Sequence, residues 1–419
     1  MITRFDIEQR VREWGLREDV VEKDYVLSWV LWGIGSDDRL ASSWAFKGGT
    51  CLKKCYLETF RFSEDLDFSV LPGGPFRAQE LAPILEALLT RVHEASGISF
   101  DDRAPLLKTH TSGNYTEGRV YYRGPRGART VASIRLDLLA SEVVLRPTVL
   151  RPISHPYPDP LPPPAQVRCY GFEELFAEKL RAMGEKSRPR DLYDIVHLYR
   201  RPDLRHHADL VSEVLAQKCE SKGVPAPTIE SLGVSERRGE LESEWANMLA
   251  HQLPVLPPFE SFWEELPEIF SWLEGSAEAA ELESVKVGDD LDEAWRPPTT
   301  LWTWGEGVPV EAIRFGAANH LLIDLGYQRS TRLIEAYALR RTKAGKLILF
   351  AIKSDSREIR GYRVDRIESV RVTTTPFHPV HLIEIGGEGV IIAPPLHRRR
   401  AAPRSPVRKS RVSPRRRRR

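Results

Sequence analysis

Phe46-Lys47-Gly48-Gly49-Thr50-Cys51-Leu52, followed by Arg61-Phe62-Ser63-Glu64-Asp65-Leu66-Asp67-Phe68, is the stretch on which the reading of this chain turns. The short apolar run Trp44-Ala45-Phe46 predicts a strand ending at Gly48-Gly49, and a helix is expected from Thr50 through Leu57. Asp65 to Val70 alternates polar and apolar residues, the signature of a second strand. Asp65 and Asp67 lie two apart on it and so project from one face. That is the geometry for carboxylates that share a metal pair.

Joining a nucleoside monophosphate to an acceptor displaces pyrophosphate at a crowded, anionic phosphorus. Two Mg²⁺ ions roughly 4 Å apart neutralise that charge and align the attacking and leaving oxygens, and they need carboxylate ligands. Because Mg²⁺ takes oxygen ligands and keeps several waters, two or three carboxylates suffice. Asp65 and Asp67 are two candidates. Asp137 is the third, on a strand whose Ile134, Leu136 and Leu138 share the opposite face. At Gly48-Gly49-Thr50 the missing Cβ atoms would let a triphosphate approach the backbone, beside the free N–H groups of a helix N-terminus. Taken singly, an Asp-x-Asp is usually a solvated strand face and a Gly-Gly usually a turn. The ordered combination, with Asp65 fifteen residues after Thr50, carries more.

Working outward, Ile7 to Ile34 has apolar residues at helical spacing, broken near Gly15. Leu81 to Ala95 predicts a helix. Arg119 to Tyr122 and Val131 to Leu138 predict a hairpin through Gly124-Pro125-Arg126-Gly127. Residues 152 to 164 form a proline-rich connector. Helices are expected over Gly171 to Glu185 and Arg190 to Arg200, and helical patterning continues over 203 to 275 with Trp245, Leu249, Phe262, Trp263 and Trp272 as core residues. The segment 276–300 is acidic and closes on Pro297-Pro298, the best boundary. Residues 301–396 are rich in short β-type runs, at Leu347 to Ile352, Gly361 to Val364, Ser369 to Val372 and His381 to Ile385. Residues 397–419 are Arg-, Ser- and Pro-rich and cannot build a core.

With 419 residues, 41% hydrophobic and 29% charged, the chain has material for two soluble domains. It offers neither an apolar run of spanning length nor a signal-peptide layout, which points to a cytoplasmic protein with no membrane partner. The net charge of +2 hides an asymmetry. Twelve of the 61 basic residues lie in 397–419 with no acid, whereas the other 49 face 59 acidic residues, a net of −10. Four cysteines stand at 51, 55, 169 and 219. Cys51 and Cys55 fall on one helix face, but without a partner pair at ligand spacing they point to buried thiols rather than zinc.

The two motifs quoted at the outset closely resemble those of the AbiEii/AbiGii toxin family of nucleotidyltransferases. A later helix lysine in Glu178-Lys179-Leu180-Arg181-Ala182, an Arg190-Asp191-Leu192-Tyr193-Asp194 element and an early Glu22-Lys23-Asp24 extend the resemblance over residues 1–275. It implies an α+β chain with a polymerase-β-like nucleotidyltransferase domain whose C-terminal half is helical. It also implies the toxin half of a type IV toxin–antitoxin or phage-defence pair, similar to MenT-type toxins that use an NTP to modify the 3′ end of tRNA and block translation. By the same resemblance Gly48, Gly49, Thr50 and Ser63 would line the nucleotide, Asp65 and Asp67 would bind Mg²⁺, and Lys179 would hold the triphosphate. Asp191 or Asp194 would orient Lys179 or assist the acceptor; a cognate antitoxin is the implied partner. Spacing alone leaves Lys179 open between a solvated helix lysine and a phosphate contact, and favours a capping or first-turn acid for Asp191.

Residues 332–379 resemble a WYL domain, a small β-rich ligand-sensing module, although Lys346-Leu347-Ile348-Leu349 stands where Trp-Tyr-Leu is expected. Arg357, Arg363 and Arg366 are its candidate anion or nucleic-acid contacts; pairing of Asp365 with Arg366 is the plainer reading. Two other functions compete with the toxin: a small-molecule nucleotidyltransferase, and a WYL-containing regulator that binds nucleotide without turnover.

Overall fold

The computed structural model describes residues 2–57, 61–201, 208–276, 282–286, 290–292, 295 and 310–385. The N-terminal helical stretch is two helices, α1 (Arg4–Trp14) and α2 (Glu18–Gly35), separated at Gly15 as its spacing predicts. From Tyr25 onward α2 carries no charged residue and is correspondingly buried. A short α3 (Asp38–Ser43) leads into β1 (Trp44–Lys47), α4 (Gly48–Cys51), a π-helical turn (Leu52–Tyr56) and β2 (Asp65–Val70). α5 (Ala78–Ser96) follows, then β3 (Leu106–Thr109), β4 (Tyr115–Tyr122), β5 (Ala132–Leu139), β6 (Val149–Pro152) and β7 (Gln166–Cys169).

These strands form one mixed sheet in the order β3-β4-β5-β2-β1-β7-β6. β2 runs parallel to β5 and β1 parallel to β7, while the remaining pairs are antiparallel. The two motif strands therefore sit at the centre. Trp44, Ala45, Phe46 and Phe68 are fully buried there, and the Phe46 and Phe68 rings stack at 5.0 Å. The hairpin expected from Gly124-Pro125-Arg126-Gly127 is the β4–β5 pair.

A helical layer completes this part: α6 (Phe172–Lys186), α7 (Pro189–Tyr199), α8 (Ala208–Lys222), α9 (Ile229–Leu232), α10 (Ser235–Leu249), α11 (Glu260–Trp263) and α12 (Leu266–Leu273). Trp245, Leu249, Phe262 and Trp272 are core residues as expected, and Trp263 packs partly buried against them.

The C-terminal part has its own five-stranded antiparallel sheet, in the order β11-β10-β9-β8-β12. Its elements are α13 (Val310–Ala318), β8 (Leu321–Tyr327), β9 (Ser330–Arg341), β10 (Leu347–Lys353), β11 (Ile359–Arg363) and β12 (Ile367–Pro376). Three of the four β-type runs expected here are strands. The fourth, His381 to Ile385, contributes only an isolated bridge between Glu384 and Ala338. Most of 276–309, and all of 386–419 including the basic tail, lie outside the described residues. Among the described residues no helix is long and apolar enough to cross a membrane.

α2 approaches the sheet so closely at its last residue that a Cβ on Gly35 would sit 2.0 Å from the backbone carbonyl oxygen of Gln166 at the start of β7. A helical Gly→Ala change ordinarily stabilises by up to about 1 kcal/mol. Here the added carbon meets backbone, so Gly35→Ala is expected to destabilise by about 2 kcal/mol. Urea unfolding of the two proteins measures the sign; a stabilised variant would refute the close approach.

Candidate active site

The central strands bring the predicted acids together. In the parallel β2–β5 ladder Asp67 pairs with Asp137 and Asp65 with Arg135. Residues in register share a sheet face, so Asp65, Asp67 and Asp137 lie side by side. Burial of Ile134, Leu136 and Leu138 on the other face of β5 is what turns Asp137 this way. Its carboxylate is held by the Tyr115 hydroxyl at 2.7 Å and by the Arg135 guanidinium at 3.0 Å. In that position the oxygens of the three acids do not all fall within 4.8 Å of one another.

Asp65 and Asp67 stand differently: among the described residues neither carboxylate has an ion-pair or hydrogen-bond partner. Burial, reinforced by the charges of Asp137 and Asp65, carries the Asp67 carboxyl up to about 6 against the opposing charges of Lys47 and Lys179. Asp65 is raised as well, by burial and by Asp137, with Arg135 and Arg190 pulling the other way. The result is negative charge held at a sheet surface without a bonded counter-ion. That condition suits a cation, and carboxylate oxygens are the donors a hard divalent ion takes.

Around the Gly-Gly-Thr turn the structure is specific about what each glycine accommodates. Gly48 has φ +78°, and a Cβ there would come 2.4 Å from Asp67 Oδ2. On Gly49 it would come 2.5 Å from Arg61 Nη2 and 3.1 Å from Ser63 Oγ. The space left by the missing side chains is thus filled by Asp67, Arg61 and Ser63, all from the second motif. Thr50 is fully buried and its hydroxyl donates to the backbone carbonyl of Asp65, which pins the turn to the start of β2.

The third cluster lies across α6 and α7. Lys179 Nζ is 3.0 Å from Asp191 Oδ1 and 2.7 Å from Asp194 Oδ2. Asp194 is fully buried and also receives Arg61, with Nε at 2.7 Å and Nη2 at 2.8 Å, while Arg61 Nη1 donates to Gln252. Arg61 and Lys179 hold the Asp194 carboxyl below its ordinary range despite burial. Asp191 is the first-turn acid of α7 that its spacing suggested, but it makes no capping hydrogen bond, and its carboxylate goes to Lys179. Nor is Lys179 a solvated lysine, since its side chain is 13% exposed.

Two residues gained no role from the sequence. Arg61 is the buried partner of Asp194, and Lys47 lies opposite Asp67 in the β1–β2 register and pairs with Glu142. Lysine directly before Gly-Gly and arginine two residues before Ser63 were the available signals. Glu22, Lys23 and Asp24 serve the scaffold: Glu22 accepts the Arg126 backbone N–H, Lys23 pairs with Glu64, and Asp24 pairs with the buried Lys54.

Among solved structures, the chain is similar to the nucleotidyltransferase toxin MenT4 from Mycobacterium tuberculosis H37Rv, with 20% identity and a TM-score of 0.42 over 65% of this chain and 90% of that one. No curated protein matches it. The family model of the nucleotidyl transferase AbiEii toxin, type IV toxin–antitoxin system, matches residues 29–268, more than half of the chain. The chain belongs to the AbiEii family. It is therefore a nucleotidyltransferase of the toxin class, as its two motifs implied. The AbiEii match spans β1 to β7 and α6 to α11 and ends within α12, and so contains all of the clustered residues. The C-terminal sheet lies beyond it. There Arg357 pairs with Glu335, and Arg363 pairs with Asp365 at the position where Asp365–Arg366 pairing was the plainer expectation.

Arg61→Ala takes two N–H donors and one of two cations from the buried Asp194, strands the Gln252 side-chain carbonyl and leaves Lys179 alone on the carboxylate. It is expected to cost about 3 kcal/mol in urea unfolding. Lys179→Met should cost clearly less, because Arg61 keeps two N–H donors on Asp194 and Lys179 is the more exposed of the two cations; equal losses would refute the asymmetry. Asp67 adds a pH signature. A carboxyl raised from its ordinary 3.8 to about 6 contributes stability below pH 4 that is lost as pH rises through 6. Metal-free Asp67→Asn is expected to lack that decline, which thermal unfolding across pH 4 to 7 checks.

Proposed function

We propose that this AbiEii protein transfers a nucleoside monophosphate from an NTP to an RNA acceptor, the 3′ end of tRNA, with Mg²⁺ as its metal, and so blocks translation. The observation that carries the reading is the unpartnered pair Asp65 and Asp67, with the charges of Lys47 and Lys179 both acting on Asp67. Asp65, Asp67 and, through its Tyr115 and Arg135 anchors, Asp137 would hold Mg²⁺. When bound, the metal supplies charge neutralisation on the phosphates and alignment of the attacking and leaving oxygens.

The protein's own side chains do the rest. Lys179 has three N–H donors and its two carboxylates engage two, which leaves one for the triphosphate. Asp191 and Asp194 keep it charged and aimed. Ser63, beside Gly49, offers a hydroxyl to the same phosphates. The acceptor hydroxyl attacks the α-phosphorus and gives up its proton to water, the bond to pyrophosphate breaks, and the cationic side chains take up the departing charge. The family pairs this activity with an antitoxin. The basic segment 397–419 would add sequence-blind affinity for RNA phosphates. For the C-terminal sheet we propose a regulatory role, since Asn319 Oδ1, just after α13, accepts the Tyr193 hydroxyl from α7 at 2.9 Å.

The test is incubation with labelled NTPs, Mg²⁺ and total RNA. Label on tRNA is expected with the wild type, and Asp65→Ala, Asp67→Ala and Lys179→Ala should each lower the rate by about 10²-fold or more. Label on a small molecule alone would replace the RNA acceptor by a small one, and nucleotide binding without any transfer would refute the enzyme reading.

A further inference from the structure

Away from the carboxylates, three of the four cysteines converge. Cys51 closes α4, Cys55 lies in the π-helical turn that follows, and Cys169 ends β7, more than a hundred residues later in the chain. All three are free thiols with no solvent exposure, and their Sγ atoms all lie within 4.8 Å of one another. Sequence spacing offered only Cys51 and Cys55; parallel pairing of β1 with β7, in register at Phe46 and Cys169, supplies the third.

We propose that Cys51, Cys55 and Cys169 form a three-thiolate site for a thiophilic d¹⁰ metal ion, with Zn²⁺ as the ion to test. Three sulfurs bonded to one zinc at about 2.3 Å stand roughly 4 Å apart, so only small side-chain rotations separate the observed cluster from a coordinated one. The donor set is sulfur alone, which selects Zn²⁺ or Cu⁺ and rejects Mg²⁺; the site is thereby chemically distinct from the aspartates. The backbone is shaped at this point as well: Leu57 N–H reaches back five residues to the Leu52 carbonyl at 2.8 Å, and such π turns gather at functional positions.

Charge supplies an independent observation. Arg151 Nε donates to the Cys55 carbonyl at 3.1 Å, and its guanidinium lies over the Tyr56 ring at 4.5 Å. Among the described residues no carboxylate pairs with it. Binding a dication here would release three thiol protons and leave a centre of charge −1, which an unpaired guanidinium offsets. Cys51 directly follows Thr50 and Tyr170 N–H bonds the Phe46 carbonyl, so the ion would tie the segment after the Gly-Gly-Thr turn to β7. Burial implies loading during folding.

The test uses the full-length chain carrying Asp65→Asn and Asp67→Asn, so that carboxylates do not compete, expressed in zinc-supplemented medium and analysed for metal. About one zinc per chain is expected, falling at least tenfold in Cys169→Ser and Cys55→Ser, with Cys219→Ser as an unchanged control because that thiol lies on α8, outside the cluster. Should the serine variants fail to fold, the parent protein still decides. Its zinc should leave as a mercurial titrates three thiols, and cadmium replacement should give sulfur-to-metal charge-transfer absorption. Protein free of stoichiometric metal with four thiols titrating on unfolding, a disulfide in place of the metal, or zinc retained in Cys169→Ser would each overturn the site.

Discussion

A single buried carboxylate, Asp194, organises the catalytic half of this molecule. Ionised in the interior, it would be costly to hold unless it were met by opposite charge and hydrogen bonds. Arg61 meets it from the loop before β2 with two N–H donors, and Lys179 meets it from α6. Three segments far apart in sequence are thereby brought to one point, and Gln252 accepts a further guanidinium N–H from the far side. The same contacts that satisfy the buried charge hold the lysine in place, so fold and candidate site share one electrostatic solution.

The acids on the sheet have the opposite character. Asp194 is saturated with cationic partners, whereas among the described residues Asp65 and Asp67 have no bonded cation, on a strand whose hydrophobic face anchors them. The protein thus spends a compensated charge on architecture and keeps an uncompensated pair at the surface of its central strands. Lys47, opposite Asp67 but committed to Glu142, moderates that charge without bonding to it. Gly48 lets Asp67 pack directly against the turn, which ties the two motifs to each other.

The C-terminal sheet is joined to this machinery rather than merely tethered. Phe315 and Leu321 are part of the main hydrophobic core, Arg200 donates to the Ala318 carbonyl at 3.0 Å, and Tyr193 and His197 on α7 both reach Asn319. α7 therefore presents Asp191 and Asp194 toward Lys179, and Tyr193 and His197 toward Asn319 at the second sheet.

The family, the central strand pair, the facing of Asp137 and the succession of helices after Gly171 were legible in the residues. Each depends on local periodicity, on side chains two or four apart, or on a motif of contiguous residues. Other features were not. The aim of Asp191 at Lys179 instead of its own helix end, the burial of Arg61 on Asp194, the filling of the glycine gaps by Asp67, Arg61 and Ser63, and the meeting of Cys169 with Cys51 and Cys55 all depend on strand order and on how α6 packs against α7. A sequence fixes which way a side chain faces along its own element, because backbone geometry repeats at short range. It does not state which remote element lies opposite, because that follows from burying the whole core at once. The chain's chemistry was therefore readable as an inventory, and only the tertiary structure decided which charges are neutralised and which are left free for a ligand.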